Sequence, residues 1–450
     1  MTNSTGRRFL GLNPEAGVSV RNLLTFYFAC LATIMFASFI PQSQPFLLTE
    51  FLGIEQERHG MVSGLLNFWA EITIIIAVAV FGPLSDRFGR RPVTAFGFII
   101  MSAGIALYPH ARDIQELLFV RLFYSVGLAA VTTTIVALIA DYVQDESRGR
   151  ATGLQGVMNG IGAMISVFLL LQIPAILQNG GASAQEAGIQ TYTVVAIIAF
   201  LTGILMLAGL KNGTARSSSE HSESILAIAS NGLRAARDPG IALAYGASFV
   251  ARGNLMIVGT FFTLWVTNHG TAEMGLSRAD ALAKAGMIVG IAQGCALLGA
   301  PLFGILADRI DRVKALTISL AVSAVGYGST FFITDPFAPG MILCAVLIGL
   351  GEISCVITSG VLVAQQAPKA HRGAVIGFFT LSGAVGILVA SVVGGYLFDH
   401  WRPSGPFVFF AGVAVLVMGW SILTGKSVQP LAEASANGPA QSAAESPAGA

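Results

Sequence analysis

Residues 60–110 read GMVSGLLNFWAEITIIIAVAVFGPLSDRFGRRPVTAFGFIIMSAGIALYPH. Two apolar runs, 60–83 and 92–110, flank a turn of a few residues, and every charge in the stretch except Glu71 sits at that turn. At ~1.5 Å of rise per residue, helices of this length cross an apolar layer of about 30 Å. Barrel strands would alternate polar and apolar residues over short segments, and these runs do not. The stretch reads as two membrane-spanning helices joined at one surface by a tight charged turn.

The pattern repeats along the whole chain. Apolar runs fall at 22–49, 60–83, 92–110, 114–141, 150–177, 189–210, 240–268, 281–306, 315–334, 338–366, 372–398 and 404–424. Of 450 residues, 54% are hydrophobic and 11% charged, too few charges to cover a water-facing surface. The fold class expected is therefore an all-α membrane protein with twelve transmembrane helices in two pseudo-symmetric six-helix bundles. Net charge is +1 with no long basic tract, which gives a nucleic-acid partner no electrostatic support. Cys30, Cys295, Cys344 and Cys355 lie inside apolar runs without metal-ligand or redox spacing and read as packing residues.

The organisation expected is a polar N-terminal segment 1–21, a first six-helix half 22–210, a Ser-rich linker 211–239, a second half 240–425 and a disordered tail 426–450 rich in Ala, Ser, Pro and Gly. The first apolar run is too long for a removable signal and lacks a small-residue cleavage site, so it counts as the first span. With both ends in the cytoplasm, eighteen basic residues lie on that side and five on the other, and Arg121 and Arg252 inside helices complete the 25. That bias places both termini in the cytoplasm. The chain is expected as a monomer in the inner (plasma) membrane.

The turn Gly82-Pro-Leu-Ser-Asp-Arg-Phe-Gly-Arg-Arg91 has small residues where backbones must approach, a helix-end acceptor in Asp86 and cations in Arg87, Arg90 and Arg91. It resembles the G-x-L-x-D-R-x-G-R-R signature of the major facilitator superfamily. A degraded copy, Gly304-Ile-Leu-Ala-Asp-Arg-Ile-Asp-Arg-Val-Lys314, keeps Asp308 and Arg312 but puts Asp311 in place of Gly89. A second pair, Arg148-Gly149 through Gly153 and Arg372-Gly373 through Gly377, opens the fifth and eleventh runs at nearly the same offset. Two motifs repeating at one period indicate duplicated halves, as the resemblance implies. The stretch Arg121-Leu-Phe-Tyr-Ser-Val-Gly127-Leu-Ala129 is similar to another pattern of the superfamily, with Ser125 for its first Gly. By resemblance, Asp141 is the partner of Arg90. A charge network at a helix end can be made in one rocking state and lost in the other, so Asp86, Arg90 and Asp141 are expected to form a cytoplasmic clasp closed only while the cavity faces outward. The fifth-helix motif of proton-driven drug antiporters and the sugar-porter signatures are absent, so the resemblance names the superfamily and no family within it.

Four ionisable groups fall inside spans: Glu71, Arg252 and Glu352 near mid-helix and Arg121 nearer the outer end of its own. A charge in hydrocarbon costs at least ~2.5–3.5 kcal/mol, so each should face a cavity, pair, or bind something. Arg252 and Glu352 could form a buried pair that only fixes helix register. Glu71 is the first candidate for proton coupling, with Arg121 as the basic group of its own half. Gln42, Gln44, Asn67, Asn159, Asn254 and Gln293 could line the path or simply bond between helices, and Pro41 and Pro45 are expected to break the outer third of the first helix.

The functional expectation is a secondary transporter moving a small organic solute by alternating access with protons as coupling ion, an anionic or zwitterionic substrate fitting the midplane charges slightly better than a sugar. Efflux of amphipathic compounds is the alternative. A membrane enzyme would need a metal cluster, a nucleophile beside a base or a phosphate loop, and the sequence has none of these marks, so neither catalytic residues nor a cofactor are assigned. A transporter-like receptor would add a soluble signalling domain, and the longest hydrophilic segment inside the chain is too short for one.

Overall fold

A computed structural model describes residues 11–211, 225–368, 372–425 and Val428. Among the described residues, twelve helical spans are long and apolar enough to cross a membrane. Spans 1 to 6 are Val20–Glu50, Gln56–Phe88, Arg90–His110, Ile114–Tyr142, Arg148–Asn179 and Ala184–Gly209. Spans 7 to 12 are Pro239–Ala272, Arg278–Arg309, Arg312–Phe332, Pro339–Gln366, Arg372–His400 and Gly405–Thr424. Helices satisfy their own backbone groups, which is what permits them in hydrocarbon. Among the described residues, the only β-type pairing is an isolated bridge between Pro14 and Val143.

Packing repeats with a period of six spans. Span 1 packs on 5, 2 on 4, and 3 on both 4 and 6; correspondingly, span 7 packs on 11, 8 on 10, and 9 on both 10 and 12. The principal contacts between the two sets, span 2 with 11 and span 5 with 8, exchange under the same operation. Twelve spans bring the start of span 1 and the end of span 12 to one face, shared with the turns at Gly89 and Asp311. That face is called the turn end below, and the opposite face the far end.

Span 1 corrects one expectation. It runs unbroken as helix from Val20 to Glu50 with Pro41 and Pro45 inside it. Every residue of 39–48 except Pro41 is buried, so neighbouring helices hold the segment in place despite two missing backbone donors. Local irregularity appears elsewhere: a turn of π-helix at Val258–Phe262 in span 7, and a 3₁₀ turn at Leu170–Gln172 that divides span 5.

The segment before span 1 is packed against the turn end. Leu12 is buried, Asn13 N–H donates to Ser147 Oγ at 3.0 Å, and Lys211 Nζ donates to the Ala16 carbonyl at 2.9 Å. Within the linker, a helix at Ile225–Ala235 lies on span 11, and its Gly232 carbonyl accepts from Tyr245 Oη at 3.2 Å. Arg7, Arg8, His221, Lys369 and the tail 426–450 apart from Val428 lie outside the described residues.

Candidate functional site

The two sets of six spans meet at the far end and part at the turn end. Hydrogen bonds join them in the far half: His59 with Asn268, Gly60 and Met61 to Asp399, Asn67 to Thr260, and Gln172 to the Ala283 carbonyl. Glycines in that half lie directly against the opposing backbone, Gly64 on Ser391 and Gly286 on Val167. Toward the turn end the situation reverses, and a methyl group added at Gly82, Gly153, Gly156, Gly304 or Gly360 would meet nothing within 4 Å. A cleft therefore opens between the sets at the turn end and closes near mid-bundle.

Arg252 on span 7 is exposed although it sits near the middle of a span. Its side chain lies over Gly383 of span 11, and its charge acts on Glu71 of span 2, in the other set of spans. The exposure is therefore to the cleft. No hydrogen bond or ion pair joins Arg252 and Glu71 among the described residues, so the attraction between the two charges acts at longer range than direct contact. Neither of the pairings that the sequence left open is formed. Arg252 is not bonded to Glu352, and Glu71 is not the partner of Arg121.

Glu352 is only 4% exposed, with Gln293 beside it and Oε2 lacking any partner. It lies within the second set of spans near Tyr327. Arg121 is also buried, and it donates from Nη2 to Asn67 Oδ1 at 2.7 Å and from Nη1 to Tyr108 Oη at 3.4 Å, with the Tyr124 ring beside it. These two bonds tie span 4 to spans 2 and 3, while the buried Nε of Arg121 has no partner.

The uncharged candidates divide similarly. Gln42 accepts from Ser166 and Gln44 donates to Ser63, both buried between helices of the first set. Asn254 donates to Ser323 inside the second set. Asn67 joins the two sets, accepting from Arg121 and donating to Thr260 Oγ1 at 3.0 Å. Thr260 lies in the π turn of span 7, where the wider helical turn re-aims side chains. Asn159 is half-buried on span 5. Gln293 lies beside Glu352, as Asn67 lies beside Arg121, each within its own set.

At the turn end, Gly89 adopts φ 94°, a backbone conformation suited to glycine, and this folds span 3 back beside span 2. Arg90 then reaches Ser85 Oγ, Asp86 Oδ1 and, at 3.2 Å, Asp141 Oδ2 of span 4. The network lies within the first set of spans and is formed while the cleft is open at this end. The expected clasp would be formed only with the cavity facing outward, whereas here the network is present with the turn end open. Arg87 lies over the Phe88 ring, Gly82 is unopposed, and Arg91 is half-buried. Asp308, Arg148 and Arg372 are exposed at the same face, while Arg312 keeps a buried Nε without a partner.

Sequence reasoning missed the far-end groups. His59, Asn268, Arg278 and Asp399 sit at helix ends, where a polar residue in isolation looks like an ordinary loop residue. Arg278 is buried and donates to Asn268 Oδ1 at 2.9 Å. No periodicity marks the contacts of His59 with Asn268 or of Gly60 with Asp399, because each joins residues more than 200 positions apart.

A family model described as Major Facilitator Superfamily matches residues 23–297 and 244–447. Magnetosome protein MamH of Paramagnetospirillum magneticum is 28% identical over 90% of this chain and 92% of its own length. The multi-drug resistance efflux pump PmrA of Streptococcus pneumoniae is 26% identical over 81% of this chain and 89% of the pump. Among solved structures, a mutant of the nucleoside transporter NupG superposes with TM-score 0.73 over 89% of this chain and 99% of its own, at 14% identity.

Proposed function

Because the chain belongs to the major facilitator superfamily, a family of transporters, we propose that it moves a small organic solute by alternating access, with its two sets of six spans as the rocking units and an anionic or zwitterionic solute held between Arg252 and Glu71. The observation that carries this reading is a mid-membrane arginine exposed to the cleft and facing, without a bond, a glutamate from the other set. An unpaired cation there recovers its lost hydration by binding an anion. A zwitterion would place its carboxylate on Arg252 and its ammonium on Glu71, joining both halves. Proton coupling fits the same pair, since a proton on Glu71 competes with the attraction of Arg252 and changes how strongly the halves are drawn together. Glu352 and Arg121, held inside their own halves, support the walls of the site. The turn end faces the cytoplasm with both termini, in keeping with its arginines, and fusion reporters at Gly6 and Ser427 should read inside.

The test is uptake and export of a solute panel in proteoliposomes with an imposed pH gradient. Arg252→Ala should weaken binding of the transported solute at least tenfold, and Glu71→Gln should keep downhill exchange but lose accumulation against a gradient. Unchanged affinity in the first variant would remove Arg252 from the site, and wild-type accumulation by the second would remove Glu71 from coupling. Similarity to an efflux pump supports a second reading, export of amphipathic compounds. In that case the panel would show extrusion of lipophilic cations, insensitive to Arg252→Ala.

A further inference from the structure

The N-terminus of span 2 leaves backbone N–H groups that its own helix cannot satisfy. Arg58, at the capping position, supplies no side-chain acceptor. The acceptor comes instead from the far end of span 11: Asp399 takes Gly60 N–H on Oδ1 at 2.8 Å and Met61 N–H on Oδ2 at 2.7 Å. Both carboxylate oxygens are used, each on a different donor, at the end of the helix where a negative charge is favoured. A helix cap is normally local in sequence, whereas this one spans 339 positions and crosses between the two sets of spans.

We propose that Asp399 is a gating residue of the transport cycle, a helix cap supplied in trans that holds the far end shut. The proposal rests on the alternating-access reading above. The seam beside it admits no side chain, since a Cβ at Gly60 would collide with Asp399, and one at Gly64 or Gly395 with opposing backbone. The carboxylate can reach the two amides only at this separation, so the cap exists when the far end is closed and is lost when spans 2 and 11 part. Next to it, His59 is fully buried with Nδ1 on Asn268 Oδ1 at 3.2 Å and Nε2 on the Ile54 carbonyl at 3.0 Å, a contact that parts along with the cap. An interaction present in one state and absent in the other biases the equilibrium between them by its own strength. Asp399 thus sets how much of the protein waits with the cleft open at the turn end.

The experiment uses two cysteine reporters on the full chain with Cys30, Cys295, Cys344 and Cys355 replaced by serine: Ser391→Cys in the closed seam and Gly153→Cys in the open cleft. N-ethylmaleimide labelling rates are read in membrane vesicles. Asp399→Asn should speed labelling at 391 about tenfold, as loss of a charged helix cap permits, and slow it at 153 by a similar factor. Asp399→Glu, which keeps the charge, should stay nearer the parent. Gly64→Leu, which wedges the seam directly, is the control. If that control moves both reporters in opposite senses while Asp399→Asn moves neither, or moves 391 alone, the cap is not a gate and the rocking motion stands. If Gly64→Leu itself opens 391 without closing 153, the alternating-access reading fails.

Discussion

At the turn between spans 2 and 3, Gly89 holds φ at 94° and Arg90 ties Ser85 and Asp86 of span 2 to Asp141 of span 4. At the equivalent turn between spans 8 and 9, Asp311 stands in place of the glycine with φ −54° and caps its own helix, accepting from Val313 N–H at 3.1 Å and Lys314 N–H at 3.0 Å. The acid that would complete a second network is also missing. Asp141 stands seven residues before Arg148, and the residue seven before Arg372 is Gln365. One copy of the turn therefore links three spans through charge, and the other ends in a local cap. The difference teaches that duplication preserved position while the interactions diverged: a network across spans responds to their relative movement, and a cap confined to one helix does not.

The largest effect expected from that contrast is in transport. Asp86→Asn should abolish it with expression and folding near normal, because it removes one of two charges holding Arg90, while Asp308→Asn at the equivalent position should leave transport largely intact. Equal losses in the two variants, measured in proteoliposomes at matched protein, would erase the distinction between the turns. A smaller effect is expected in stability. Asp311→Ala removes a side-chain cap worth about 1 kcal/mol and should lower the melting temperature by a few degrees with transport retained. Gly89→Ala should cost a similar ~1–2 kcal/mol through left-handed backbone strain, and it should also impair transport because it turns Arg90 away from Asp141. The smallest effect belongs to Gln365→Asp. If the second turn lacks only its acid, this change pairs Arg312 and raises the melting temperature slightly; no change would show that Asp311 alone redirected the turn.

Most of the fold was legible in the residues. Every span follows from a run of apolar residues, a local property that hydrocarbon enforces without regard to neighbours. The duplicated turns were legible as well, because Asp86, Gly89 and Arg90 sit within one tight turn whose geometry the glycine sets, and the Arg90–Asp141 contact was implied by the resemblance to the superfamily. The pairings of mid-membrane charges were not. Nothing in the spacing of Glu71, Arg121, Arg252 and Glu352 says which side of its helix each one presents, and two of the expected pairings gave way to Arg121 on Asn67 and Arg252 toward Glu71. Span 1 shows the same limit for the backbone, since burial on nearly all sides kept Pro41 and Pro45 within a continuous helix.

The sequence by itself determined that the chain crosses the membrane twelve times, that its two halves repeat, and that four charges must find shelter inside. Only the tertiary structure decided which shelter each one found, where the halves touch and that Asp399 caps a helix of the opposite half. The physical reason is range. Hydrophobic length and turn chemistry act over a few residues of chain, whereas a hydrogen bond such as that from Gly60 to Asp399 depends on the rotation, tilt and register of helices hundreds of residues apart.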